Sequence, residues 1–195
     1  DLHLCDRRQR QMCIRDRQEA ASKPEYQDII FTHGTGYLSN ETNFNNYFGR
    51  IYQARYLAGI AAGMKTLETG NNNIGYVAAW GVEYAETCSG INAFAMGAQA
   101  VNPDAKVYVN KISTWGDEAK ERQAAINLID TYNCGVIGQH CDSAQPQIAA
   151  QEKGVFGCGY NSDMTEQAPN AHLTAAIWHL SLIHISEPTR RVVIS

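Results

Sequence analysis

The sequence predicts a doubly wound α/β protein with a parallel sheet, and three observations point to it. Short apolar runs rich in Val, Ile and Ala recur between Ile29 and Trp178. Longer stretches with apolar residues at helical spacing separate them, and Gly, Asn or Pro punctuates nearly every junction. Strands alternating with helices at this spacing need crossover connections, which are right-handed and produce a parallel sheet.

Taken in order, residues 29–33 read as a strand entered after Pro24 and ended by Gly34 and Gly36. A helix is expected over 46–64, with Phe48, Ile51, Tyr52, Leu57, Ile60, Ala61 and Met64 inward and Arg50 and Arg55 on the wet side. A turn over 70–73 leads to a strand over 74–79. The next helix, 83–100, turns Ile91, Phe94 and Ala95 inward and ends at Asn102-Pro103-Asp104, because proline cannot continue the ladder. A strand over 106–110 precedes a helix over 117–132 with Ala125, Ile126, Ile129 and Tyr132 on one face. Residues 135–139 form a strand and 143–153 a short helix, with Pro146 in its first turn, where proline is tolerated. Strands over 154–159 and 173–178 complete the pattern.

Composition bounds the function. The 195 residues suffice for one domain or most of a two-lobed one, and 44% hydrophobic content supports a packed core. No apolar run reaches the roughly 18 residues a membrane-spanning helix needs. A formal net charge of −4 argues against nucleic acid as a partner. The positive charge that exists is concentrated at the ends: residues 1–17 and 180–195 hold seven of the 16 Lys and Arg, leaving −7 for the middle.

Those ends read as translated adapter DNA. Met12-Cys13-Ile14-Arg15-Asp16-Arg17 can be encoded by ATG TGT ATA AGA GAC AG followed by A or G. The reverse complement of those bases, in frame, encodes Leu180-Ser181-Leu182-Ile183-His184 and permits Ile185. Both termini are thus consistent with one DNA element in two orientations, and it resembles a transposon end used to attach sequencing adapters. Segments 1–17 and 180–195 are therefore set aside from fold reasoning, and the natural fold is expected to be incomplete at both ends. Four cysteines then remain: Cys88, Cys134, Cys141 and Cys158. Without a CxxC pair no zinc site is expected. Cys134 and Cys158 read as small buried hydrophobes, and a Cys141–Cys158 disulfide is open to neighbouring strand ends.

In open α/β sheets ligands bind outside the carboxyl ends of the strands. There the sequence sets His33 to Gly36, Trp80 to Glu83, Ser113 to Asp117, His140 to Ser143 and Tyr160 to Asp163. Each segment mixes an aromatic or imidazole ring with hydrogen-bonding groups, the composition of a small-molecule site. Trp115, in a polar loop, suits ligand stacking as well as packing. Asp117 precedes an amphipathic run and suits a helix cap or a ligand contact. His140 and Asp142 suit polar ligand contact or a local hydrogen bond in preference to catalysis. Asn161 and Asp163 share one side of an extended chain and suit a ligand grip, or else an Asx-turn. No GxSxG, P-loop, GxGxxG or HExxH motif occurs, so no nucleophile apparatus, metal or cofactor is expected.

Three stretches carry a resemblance. They are Tyr52-Gln53-Ala54-Arg55-Tyr56-Leu57-Ala58-Gly59; Gly90-Ile91-Asn92-Ala93-Phe94-Ala95-Met96-Gly97-Ala98 with Val101-Asn102-Pro103-Asp104; and Gly159-Tyr160-Asn161-Ser162-Asp163. In this order and spacing, over residues 24–179, the chain resembles the basic membrane protein family of ABC-transporter substrate-binding lipoproteins. The resemblance implies a type I periplasmic-binding-protein fold with two doubly wound parallel-sheet lobes. Residues 18–73 would end the first lobe, 74–170 form the second and 171–179 cross back. It implies that Trp115 is the aromatic residue before the family's aspartate, here Asp117. Asn161 would stand where the family has an acidic residue associated with ribose hydroxyls. Trp178 falls near the family's later lysine, and residues 139–142 fall on its glycine-rich loop.

The implied function is extracytoplasmic capture of a purine nucleoside or nucleobase and its delivery to an ABC permease. Trp80, Trp115, Asp117, His140, Asp142, Asn161, Asp163 and Trp178 are the candidate ligand residues. Membrane contact would come only through a lipid anchor or permease docking, at the periplasmic or cell-surface side of the plasma membrane. The alternatives are a nucleoside- or sugar-processing α/β enzyme using His140 and Asp142, and the ligand-sensing domain of a regulator.

Overall fold

The computed structural model describes residues 18–35 and 38–179. The adapter-like segments, Cys5, Cys13 and the strand-ending role of Gly36 lie outside the described residues. The chain divides into two compact units between Arg50 and Ile51.

In the first unit residues 18–22 are helical and a 3-10 turn covers Pro24–Tyr26. Strand β1 (Phe31–Gly34) pairs in parallel with β2 (Phe44–Tyr47), Phe31 opposite Phe44. The second strand replaces the expected start of a helix at residue 46. Asn40 explains why: its side-chain oxygen accepts the backbone N–H groups of Thr42, Asn43 and Phe44 at 3.1, 2.8 and 2.7 Å. Such local side-chain bonds compete with helix formation, so the helix waits until the asparagine-rich run has passed.

The second unit holds a five-stranded sheet, all parallel, in the order β4–β3–β5–β6–β7. Its strands are β3 (Asn73–Ala78), β4 (Lys106–Lys111), β5 (Val136–His140), β6 (Phe156–Asn161) and β7 (His172–Ile177). Helices α1 (Ile51–Thr69) and α2 (Ala85–Val101) cover one face; α3 (Glu118–Tyr132) and α4 (Gln145–Glu152) cover the other. Strand alternation divides the core between the faces. Ile74, Tyr76 and Ala78 meet Ala58, Ala62, Ile91 and Phe94, whereas Val77 and Ala79 join Ala125, Leu128, Ala149 and Ala150. This is the α/β architecture that the alternating pattern predicts.

The inward face of α1 also differs from the expected one. On α1 the inward face is Ile51, Arg55, Ala58, Gly59, Ala62, Gly63 and Thr66. Leu57 and Met64, expected inside, are 65% and 60% exposed, while Arg55, expected wet, is 2% exposed. Small residues decide the face, because α1 and α2 touch backbone to backbone. A Cβ at Gly59 would lie 2.1 Å from the Phe94 carbonyl oxygen, and one at Gly97 2.0 Å from that of Tyr56. Larger side chains cannot enter such a crossing, so they are turned outward. Within the second unit, α1 packs along α2 and against the sheet. Residues 171–179, expected to cross back, contain β7, which pairs with β6. Cys88, Cys134, Cys141 and Cys158 are all free, so the Cys141–Cys158 disulfide is absent.

Candidate functional site

The chain leaves β3 for β4 on one side and then returns to place β5 on the other. The strand order therefore reverses at the carboxyl ends of β3 and β5, the place where open α/β sheets form a crevice. Four of the sequence-predicted residues are joined there by hydrogen bonds. The Trp178 indole N–H, just past β7, donates to the Asn161 side-chain oxygen at 3.2 Å. The Asn161 amide nitrogen donates to an Asp142 carboxylate oxygen at 3.3 Å. The Asp142 backbone N–H donates to the Trp115 carbonyl at 2.9 Å. Asn161 closes β6 with φ of 64°, a left-handed conformation uncommon for any residue but glycine.

The rim is exposed at Asp142, Asn161 and Trp178 and half-buried at Trp115. It thus presents two indoles, a carboxylate and an amide to solvent. Partial desolvation by the surrounding loops, helped by the negative charges of Glu121 and Glu86, raises the Asp142 carboxyl above its usual range, and the Asn161 bond opposes the rise.

The other candidates are placed differently. His140 ends β5, is fully buried and turns its ring toward the α1–α2 face. Its Nδ1 is hydrogen-bonded to the Tyr76 hydroxyl at 3.4 Å, whereas its Nε2 lies 3.8 Å from Glu86 Oε1 without a hydrogen-bond partner. The edge of Trp115 packs on it at 5.7 Å between centroids, and Tyr84 packs on Trp115 at 5.9 Å. Burial, with the nearby Arg55 charge, pushes the imidazole down to about 4 against the pull of Glu86. His140 is therefore a neutral platform beneath Trp115.

Asp117 caps α3, accepting the Lys120 backbone N–H at 3.1 Å; that bond and the Lys120 ion pair hold its carboxyl low. Trp80 is half-buried against the core shared with α3 and α4. Asp163 turns away from the rim: its side chain accepts from the Thr165 backbone N–H at 2.9 Å and lies 3.7 Å from His172. The positive φ at Asn161 explains this, because it ends the extended course that would have kept Asn161 and Asp163 on one side.

Sequence reasoning missed Arg55, Tyr76, Glu86, Glu121 and Tyr160. The first three and Tyr160 surround His140. Arg55 Nη1 donates to the Tyr76 hydroxyl at 2.8 Å and to the Gln139 carbonyl at 2.9 Å. The Tyr160 hydroxyl donates to Glu86 Oε1 at 3.4 Å. Burial raises the Glu86 carboxyl, but His140 and Arg55 outweigh it and leave the group below its ordinary value. Glu121 is fully buried and accepts from the Asp117 N–H at 3.0 Å and from Ser143 N–H at 3.0 Å. The available signal was a charged residue on the Ala/Gly face of a helix: Arg55 with Ala58 and Gly59, and Glu121 with Ala124 and Ala125. Among the described residues no group of three or more His, Cys, Asp or Glu side chains is placed to hold a metal ion.

Taken together, a parallel sheet covered by helices on both faces, with its strand order reversing between β3 and β5, places this unit among the open α/β folds. Solved structures of that type superimpose on it. A solute-binding protein of an ABC transporter from Aeropyrum pernix matches with a TM-score of 0.64 at 14% identity, over 83% of this chain and 47% of its own. A transcriptional activator of the comK gene from Bacillus halodurans matches at 0.63 and 19% identity, over 83% and 54%; at such identities the likeness is one of fold. The family model described as ABC transporter substrate-binding protein, PnrA-like, matches residues 16–190, and the chain belongs to this family.

Two relatives are closer in sequence. A Haloferax volcanii protein provisionally named an ABC transporter glucose-binding protein is 44% identical over 79% of this chain and 38% of its own length. A protein of Brucella abortus named as purine-binding is 37% identical over 78% of this chain and 42% of its own. The chain spans about two fifths of the length of these relatives. The family is one of transporter substrate-binding proteins and not of enzymes.

Proposed function

We propose that this chain supplies the strand-end rim of an extracytoplasmic solute-binding protein that captures a purine nucleoside or nucleobase for an ABC permease. The observation that carries the reading is the hydrogen-bonded run Trp178–Asn161–Asp142 with Trp115 attached to it. Two indoles offer flat faces for a heterocycle, and stacking of a base on an aromatic ring contributes about 1–3 kcal/mol. Asp142 accepts from ligand N–H or O–H groups, and the Asn161 amide both donates and accepts. The ligand gains its extra contacts when two lobes close on it, which shifts an open–closed equilibrium that the permease reads. The protein would act at the periplasmic or cell surface, held by a lipid anchor or by the permease.

The Brucella relative supports purine as the ligand class. The Haloferax relative favours a second reading, a hexose such as glucose, whose C–H faces also stack on indoles and whose hydroxyls suit Asp142 and Asn161. Calorimetric titration of the whole protein with adenine, adenosine, guanosine, inosine and D-glucose separates the two. The purine reading expects one-to-one binding of a purine, weakened at least tenfold by Trp115→Ala and by Asn161→Ala. Saturable binding of D-glucose alone would replace it with the hexose reading. Heat from none of the five would refute both.

A further inference from the structure

We propose that Arg55 is a positioning residue for the ligand rim: its guanidinium, laid against the Tyr160 ring, fixes the end of β6 and with it the Asn161 amide. The inference rests on the reading of that rim as the ligand site. Arg55 sits on α1, away from solvent and from the rim itself. Its guanidinium carbon lies 4.1 Å from the centroid of the Tyr160 ring. One nitrogen, Nη1, makes both of its hydrogen bonds, to Tyr76 and to the Gln139 carbonyl, while Nε and Nη2 are buried without a hydrogen-bond partner.

A buried cation so sparsely bonded is costly, and replacing such charges with apolar groups of similar volume is often stabilising. The rest of the α1 face is Ala, Gly, Ile and Thr, so packing alone gives no reason for an arginine. What the guanidinium adds is a planar, charged surface held against an aromatic ring.

Tyr160 is gripped from three elements. Arg55 on α1 covers its ring, His140 on β5 packs edge-on at 4.8 Å between centroids, and Glu86 on α2 accepts its hydroxyl. The next residue is Asn161, in the left-handed region, where the Ser162 N–H donates to the Tyr160 carbonyl at 2.8 Å. A non-glycine residue persists there only when its surroundings over-determine it. The clamp on Tyr160 supplies that constraint, and the strained turn aims the Asn161 side chain between Asp142 and Trp178.

The test is NMR of the chain and of Arg55→Met, reading the strong intraresidue amide–Hα NOE that marks a positive φ at Asn161. The unsubstituted protein is expected to show it. A folded Arg55→Met is expected to lose it, and in the whole protein to bind adenosine or D-glucose at least tenfold more weakly. An Asn161 NOE retained in folded Arg55→Met would overturn the proposal, since a merely structural arginine lowers stability without changing this turn. Should Arg55→Met fail to fold, Arg55→Lys, which keeps the charge but not the plane, decides on the same NOE: loss supports the proposal and retention overturns it. The NOE needs no ligand, so absence of binding by the unsubstituted whole protein would sink the capture reading while leaving the positioning role decided on its own.

Discussion

Glu121 offers the sharpest test of how the rim is held. It is fully buried on α3. Its oxygens accept the backbone N–H of Asp117, the backbone N–H of Ser143 and the Ser143 hydroxyl. One carboxylate thus ties the loop that carries Trp115 to the loop that carries Asp142. Glu121→Ala removes all three acceptors together. The Ser143 hydroxyl can rotate to another partner, but the two backbone N–H groups cannot. Each part-buried donor left unpaired costs about 1–2 kcal/mol, so the expected loss is roughly 2–4 kcal/mol. Glu121→Gln keeps the shape but turns one acceptor into a donor facing donors, and about half that loss is expected. The assay is urea unfolding at pH 7 followed by tryptophan fluorescence, with equal slopes checked before the stabilities are compared. If Glu121→Ala came within about 0.5 kcal/mol of the unsubstituted protein, the ordinary scatter of surface changes, the brace would be wrong.

Two further predictions concern packing and pH. Gly97→Val places a Cβ against the Tyr56 carbonyl, a backbone atom that cannot step aside, and should cost about 3 kcal/mol or prevent folding. Gly116→Ala, which meets nothing within 4 Å, is the matched control and should be near neutral in the same unfolding assay. His140 has a folded value of about 4 against about 6.5 when unfolded, so between these values the unfolded chain binds the extra proton. Its contribution is present in full above about pH 6.5 and is lost as the pH falls toward 4, by roughly 3 kcal/mol. Urea titrations at pH 4.5, 5.5 and 7 should show this slope, and His140→Phe should flatten it. A slope unchanged by that substitution would mean that the imidazole is not held neutral.

Much of the fold was legible because it is written in local pattern. The strands at β3, β4 and β5 and the helices α2, α3 and α4 were expected within a few residues of their observed bounds, since apolar runs and turn residues mark them directly. Trp115, Asp142 and Asn161 could be nominated because strand carboxyl ends are where such sheets bind ligands, and Trp178 through the family resemblance. Asp117 and Asp163 were nominated by the same rule, and the structure gives them a helix cap and a turn.

What the sequence by itself determined is therefore the alternation of elements, and with it the parallel sheet and the end of that sheet where polar and aromatic residues gather. Only the tertiary structure decided which face of α1 is inside. Periodicity locates the large apolar residues, but the glycine and alanine face wins where two helix backbones touch, and Arg55 is carried in with it. Burial of Arg55, Glu121 and His140 depends on partners up to 84 residues away in sequence. A charge enters a core only when distant elements bring it hydrogen bonds or a ring, and no window of sequence contains both sides of that contact.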